Sequence, residues 1–422
     1  MIYIRDLIRK KRNKEELLEE EIDFFIQSYN RDEILSEQAS ALLTLINING
    51  LTVKEMSLMA NSIVETGEKM DIYELSNKVV DIHPIGGMDD KIVIMLLAIT
   101  SALGFPSIKV ISREIGIKDK LLDAKVYTYS EEDKEQLKEL INNKDIVLLE
   151  ESKKLAPVEN KLYKLRNDIA CNDDISIIAI NLMSQKIALG FRNMIFDISY
   201  GEKAYVKTLA DAQKLSRYLI NMGASLNKKV RCIITKLDEP VGKYYGNTLE
   251  LQEALDCLNG NMPKDIEELI LEMGNIIIQM ESNTVKQNKQ AIIEVIKNKS
   301  AYNKLLKLIA NDKDTIDCIK AKQIIPIMSP INGYVQNVDM SMIRTTAQYL
   351  GAIRHNKNIK IEYGTGIELC KKIGDKVEIG DILGYIYTND ETKVQRAVLN
   401  LKTAFNITNK KVKRKNRIVK IL

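Results

Sequence analysis

The chain has 422 residues, 45% of them hydrophobic and 28% charged, enough for two or three domains with a sizeable buried core. A net charge of +4 points to no acidic partner, so nucleic acid is not expected, and the longest apolar run, Ile92 to Leu103, is broken by Thr100 and Ser101 and too short to span a bilayer. Cys171, Cys232, Cys257, Cys318 and Cys370 are scattered without a CxxC pair and suggest neither a zinc site nor a disulfide framework, and no signal-like apolar stretch opens the chain, so a soluble, cytoplasmic protein is expected.

The first 68 residues read as helices. Ser36 is placed to cap a helix carrying Ala39, Leu42, Leu43 and Ile46 at helical spacing. Thr52 and Glu55 form a capping box with Leu51 and Met56 as a hydrophobic staple, and Met56, Met59, Ala60, Ile63 and Val64 make one face, with Gly67 as the stop. Strands then alternate with helices: a strand at Val79–Ile82, a helix from Asp90 to Leu103, strands at Ile108–Ile111 and Lys125–Tyr129, a helix capped by Ser130, and a strand at Ile146–Leu149. That alternation predicts a mostly parallel sheet.

Helical pattern returns between Asn160 and Gly190, before Met194–Ile198 resumes the strands. The expected class is α/β: a small helical domain in two pieces (1–68 and 160–193), a larger α/β domain with a mostly parallel mixed sheet (69–159 and 194–323), and a hairpin-rich C-terminal domain (324–422). Asn332–Val335 and Gly374–Val377 supply short strands and turns there. The basic tail, Lys410 to Arg417, has no interleaved aromatics and reads as a solvated terminal strand.

The loop Asp81-Ile82-His83-Pro84-Ile85-Gly86-Gly87-Met88-Asp89-Asp90-Lys91 joins a strand to a helix. In an open parallel sheet ligands bind at the carboxyl ends of strands. Glycines let backbone N–H groups and a helix N-terminus approach an anion there. An ordinary strand-to-helix turn fits the same residues. His83, one of two histidines with His355, could donate to a substrate oxygen or act as a general acid. Asp89 and Asp90 repel a phosphate dianion.

This loop is similar to Lys-His-Ser-Thr-Gly-Gly-Val-Gly-Asp-Lys, the phosphate motif of the thymidine and pyrimidine-nucleoside phosphorylases. Lys161–Asp168, with Leu162, Tyr163, Leu165 and Arg166, resembles that family's Leu-Tyr-x-Leu-Arg-Asp. Leu182–Ala188, Gly246-Asn247-Thr248-Leu249-Glu250 and Lys372–Val377 match further family segments in order. The resemblance implies phosphorolysis of a pyrimidine nucleoside to free base and pentose 1-phosphate, closure between a helical and an α/β domain, and a homodimer formed through the helical domain. It places His83 at the catalytic position, Tyr163, Arg166, Asn181 and Gln185 at the base, and Gly86, Gly87, Lys91 and Ser112 at the phosphate. No cofactor is required. The resemblance does imply a monovalent cation, K⁺, near the loop with Glu250 as its carboxylate, where Asp89 and Lys91 stand in place of the family's glycine and threonine. Asn247 and Glu250 also read as a plain capping box, and Tyr163 and Arg166 as a solvated helix face.

Several matched positions depart from the pattern. The motif lysine is Ile82, its serine is Pro84, which lacks an N–H, and the hydroxyl residues of the next helix are Ile92 and Val93. A Ser-Gly-Arg segment followed by Thr-Gly-Gly-Thr is shortened to Ser112–Lys120, and Lys91, Lys118 or Lys120 could compensate for the lost ligands from new positions. Gln185 replaces a lysine that would stabilise a departing base anion, and Lys186 lies about 100° further round the helix. Weak or absent phosphorolysis is expected. The alternatives are nucleoside hydrolysis and a non-catalytic nucleoside-binding or regulatory homologue.

Overall fold

The computed structural model describes residues 1–422 apart from 86–89, 112–116, 122–123, 128–133, 151, 153, 203, 283–287, 310–319, 355–357 and 415. The chain opens with helices α1 (Ile4–Arg12), α2 (Glu19–Asn30), α3 (Ser36–Asn49) and α4 (Val53–Val64). The Thr52–Glu55 box forms as predicted: Thr52 Oγ1 accepts from the Glu55 N–H at 3.3 Å, and Glu55 Oε2 accepts from the Thr52 N–H at 2.8 Å. Glu55 is buried and also accepts from the Leu17 N–H and the Lys11 ammonium, so one cap fastens α4 to the end of α1. Ser36 does not cap α3. Leu35 is the cap residue, and its N–H donates to the Gln38 side chain at 3.2 Å.

A short helix α5 (Ile72–Leu75) leads into β1 (Val80–Ile85), α6 (Asp90–Ala102), β2 (Ser107–Ile111), α7 (Ile117–Lys120), β3 (Val126–Tyr127), α8 (Lys134–Asn142) and β4 (Ile146–Glu150). Ser130, the expected cap of α8, lies outside the described residues. Helices α9 (Pro157–Asp168) and α10 (Ile175–Ala188) return to pack on α2, α3 and α4. The helical domain is therefore built from two separated segments. The two crossings lie side by side, with the Met70 N–H donating to Ala188 O at 2.8 Å and the Ile72 N–H to Leu189 O at 3.2 Å. Gly190 (φ +79°) permits this approach, because a Cβ there would sit 2.6 Å from Met70 O.

β5 (Asn193–Tyr200), α11 (Leu209–Ser225), β6 (Lys229–Lys236), β7 (Tyr244–Tyr245), α12 (Asn247–Leu258), α13 (Lys264–Ser282), α14 (Asn288–Lys297) and α15 (Ser300–Ile309) follow. The last segment holds β8 (Gln323–Met328), β9 (Gly333–Val338), α16 (Met340–Leu350), β10 (Gly366–Leu369), β11 (Lys376–Val377), β12 (Ile382–Thr388), α17 (Val394–Ala404), β13 (Phe405–Thr408) and β14 (Ile418–Ile421).

β1, β5 and β6 pair in parallel, with β14 antiparallel on the edge, and β2, β4 and β3 form a second parallel set. α6 is buried almost all round between the sheet and α12–α15, which is why its sequence is continuously apolar. The C-terminal segment has two antiparallel sheets, β7-β10-β12-β8 and β11-β9-β13, around its own core of Ile327, Val335, Ile343, Ile367, Leu383 and Leu401. The basic tail ends in structure. Arg417 is buried and donates to Glu239 O at 2.6 Å, holding β14 against β6. Among the described residues no helix is long and apolar enough to cross a membrane.

Candidate functional site

Alternation along β1 puts Asp81 and His83 on one face of the strand. Asp81 is 1% exposed. It takes the Lys186 ammonium from α10 at 2.9 Å and the Lys109 ammonium from β2 at 3.4 Å. Lys109 also donates to Ile82 O at 2.5 Å. Burial alone would raise the Asp81 pKa, but Lys109 and Lys186 hold its carboxyl below the usual carboxylate range. His83 is half-buried and meets the Phe196 ring edge-on, centroids 6.1 Å apart. Burial, then Lys186 and Lys109, push its pKa well below the ordinary value, against the pull of Asp81. The imidazole is neutral at pH 7, able to donate one N–H and accept at the other nitrogen.

Gly86, Gly87, Ser112 and His355, together with Asp89, lie outside the described residues. Lys91 does not face the loop. Its side chain is 1% exposed and donates to Glu253 Oε2 at 2.6 Å and Tyr244 O at 3.0 Å. Lys120, the second basic substitute, is buried between Glu250 Oε2 (3.3 Å), Asp90 Oδ2 (3.6 Å) and Asn247 Oδ1 (3.2 Å). Lys118 is exposed. Ile82, Ile92 and Val93 belong to the apolar core under α6. Positions that carry a cation or hydroxyls in the family motif are therefore hydrocarbon here.

Glu250 is 1% exposed. Burial pushes its pKa up, against Lys120 and Lys91. Its Oε1 accepts from the Gly246 N–H at 3.3 Å. The capping box expected at Asn247 does not form: Gly246 (φ +135°) is the cap and has no side chain to close one, and the Asn247 side chain serves Lys120 instead. Because a lysine ammonium already faces the Glu250 carboxylate, the residues present do not fit an added monovalent cation at that position. Among the described residues no cluster of three or more His, Cys, Asp and Glu suits a metal ion.

On α9, Tyr163 is 47% exposed but Arg166 only 3%. The Arg166 guanidinium turns inward, donating to Glu159 Oε1 at 2.5 Å and Asn172 Oδ1 at 3.2 Å. Tyr205 joins this group by donating to Asn172 O at 2.9 Å. The phenol of Tyr205 titrates high through burial and the neighbouring Tyr163, against the pull of Arg166. Asn181 and Gln185 are half-buried one turn apart on α10, and neither side chain makes a hydrogen bond among the described residues. Tyr163, Arg166 and Tyr205 thus form one group.

Asp81, Lys109, Glu159 and Tyr205 belong to these clusters although the sequence alone assigns them no site role, and Lys186, out of register with Gln185 on α10, reaches Asp81 instead. Two of them left a signal: Asp81 lies two strand positions before His83, and Glu159 two helical turns before Arg166. A cleft of about 480 Å³ opens elsewhere, lined by Glu239, Lys264, Asp265, Lys413, Arg414 and Arg417 among others.

The fold is an α/β architecture with a two-segment helical bundle beside a parallel sheet and a C-terminal antiparallel portion. Residues 5–67 match the glycosyl transferase family helical bundle domain, and residues 334–408 match the pyrimidine nucleoside phosphorylase C-terminal domain. Anthranilate phosphoribosyltransferase (TrpD) from Thermus thermophilus shares the fold, with a TM-score of 0.52, 14% identity, and 72% of this chain and 98% of that chain covered. Pyrimidine-nucleoside phosphorylase of Staphylococcus epidermidis is 32% identical over 397 residues, covering 91% of this chain and 92% of that protein. Its Staphylococcus haemolyticus counterpart is 32% identical over 399 residues, covering 92% of each. The chain belongs to the pyrimidine-nucleoside phosphorylase family.

Proposed function

We propose that this protein binds a pyrimidine nucleoside and cleaves it with phosphate weakly or not at all. One observation carries the reading: the buried lysines around the glycine loop are occupied by the chain's own carboxylates. Lys91 is on Glu253, Lys120 on Glu250, and Lys109 and Lys186 share Asp81. A phosphate dianion entering there would have to compete with carboxylates already desolvated and in place. It would also meet Ile82, Ile92 and Val93 in the core instead of a cation and hydroxyls. A charge-assisted hydrogen bond is worth about 1.5–3 kcal/mol. Losing three of them corresponds to roughly 10³-fold or more in rate, at tenfold per ~1.4 kcal/mol.

On the nucleoside side, Tyr163 and Tyr205 offer half-exposed aromatic surface, and the amides of Asn181 and Gln185 could pair with base oxygens and N–H groups. Neutral His83 could donate to a sugar or base oxygen. Leu18, Leu35 and Ile48 are exposed on the helical domain and support its use as a homodimer face. The same geometry supports a non-catalytic or regulatory role as the second reading.

The test is to incubate the protein with uridine or thymidine, with and without phosphate, beside a Staphylococcus relative. The expected result is phosphate-dependent release of base at least ~10³-fold slower than the relative's, with a nucleoside-induced rise in melting temperature. Turnover equal to the relative's overturns the reading. Base release independent of phosphate would identify hydrolysis instead.

A further inference from the structure

Lys91 stands on the first turn of α6 and sends its ammonium away from the loop into the junction of β7 and α12. There it is 1% exposed, 2.6 Å from Glu253 Oε2 and 3.0 Å from Tyr244 O. Glu253 is itself 3% exposed and is held from the other side. Its Oε1 accepts from the Lys243 N–H at 2.6 Å and its Oε2 from the Tyr244 N–H at 3.3 Å. Gly242 (φ +66°) closes over it, and a Cβ there would come within 2.5 and 2.6 Å of the two carboxylate oxygens. The cage is thus a fixed carboxylate and a main-chain carbonyl, shut off from water, on a backbone turn that only glycine allows. Oxygen donors of that kind replace the hydration shell of a desolvated monovalent cation.

We infer that the Lys91 ammonium is a tethered monovalent cation, making the joint between α6, β7 and α12 independent of any diffusible ion. β7 pairs with β10 (Ile367↔Tyr245, Glu368↔Tyr244). One ammonium therefore locks the first turn of α6 to both α12 and the C-terminal sheet. The second carboxylate near the loop, Glu250, is neutralised the same way by Lys120. Both acidic positions that could have recruited an external cation carry an internal one.

Melting temperature in KCl, NH₄Cl and choline chloride at matched ionic strength tests this without reference to activity. The wild-type protein is expected to melt within about 1 °C in all three salts. Lys91→Met leaves the Glu253 carboxylate unpaired in its cage. It is expected to melt roughly 5 °C or more lower in choline and to recover saturably with K⁺ or NH₄⁺. The double variant Lys91→Met/Glu253→Gln, with neither charge, is expected to be indifferent to the salt, and it is the reference if the single variant folds only in KCl. A wild-type protein stabilised by K⁺ over choline overturns the proposal. So does a single variant impaired equally in all three salts.

Discussion

Lys186, on the last turn of α10, holds its ammonium 2.9 Å from the carboxylate of Asp81 on β1. This buried ion pair bridges the helical domain and the parallel sheet. Lys109 approaches the same carboxylate from β2 at 3.4 Å, so one anion serves two ammonium groups.

Replacing Asp81 by Asn is expected to leave two buried cations uncompensated. Breaking a buried pair by removing one partner costs about 3–5 kcal/mol. Urea unfolding should show a loss of that size. Asp81→Asn combined with Lys186→Met should recover part of it, because one orphaned charge is removed. Equal stability of Asp81→Asn and wild type would show that the cluster contributes nothing.

Acid should destabilise the protein in two stages. The unfolded chain protonates His83 near its ordinary pKa of about 6.5. The folded chain does so only at much lower pH. Stability therefore falls as pH drops below about 6.5, by up to ~1.4 kcal/mol per unit from this group. Asp81 is held below its normal range when folded, so its contribution is complete above the unfolded carboxylate pKa. A further loss sets in below about pH 4. Chemical denaturation from pH 8 to 3 should resolve both limbs, and His83→Gln should flatten the first while sparing the second.

Glu159→Gln tests what keeps Arg166 in place. The guanidinium is 3% exposed and depends on Glu159 at 2.5 Å. Removing the anion is expected to cost about 3 kcal/mol or more and to weaken nucleoside-induced thermal stabilisation. If stability drops while the nucleoside response is unchanged, Arg166 supports α9 without shaping a pocket.

Arg354 grips Asp119 on α7 through two bonds, at 2.8 and 2.5 Å. The pairing joins the C-terminal segment to the shortened region after β2. Lysine cannot reproduce the planar fork. Arg354→Lys is expected to speed amide exchange at Leu121, whose N–H closes α7 on Ile117 O, by roughly tenfold, the equivalent of ~1.4 kcal/mol. An unchanged exchange rate there would remove this contact from the account.

Much of the framework is legible in the sequence. Thr52–Glu55 announced itself because a capping box is local. The alternation from Val80 to Tyr200 announced the sheet because strand and helix periods differ. The return of α9 and α10 to the bundle was readable from a break in that alternation. Side-chain direction was not. Lys91 is a good phosphate ligand by position, yet its partner Glu253 lies 162 residues away. Arg166 looks solvent-facing until Glu159 is placed two turns below it. Asn247 reads as a cap because nothing local shows that Gly246 takes a φ that L side chains rarely adopt.

The helical bundle is interrupted by the sheet domain, and this sets an order of events during synthesis. Helices α1–α4 leave the ribosome with the buried faces of Met56, Met59, Ala60 and Ile63 already made. The helix that packs against α4 there, α10, is not complete until residue 188. At about 5–20 residues per second that interval lasts roughly 6–25 s. Throughout it an apolar surface meant for the interior faces water or a chaperone. An N-terminal fragment ending before α9 should therefore aggregate or be degraded, and the bundle cannot be expected to persist as a separately expressed domain.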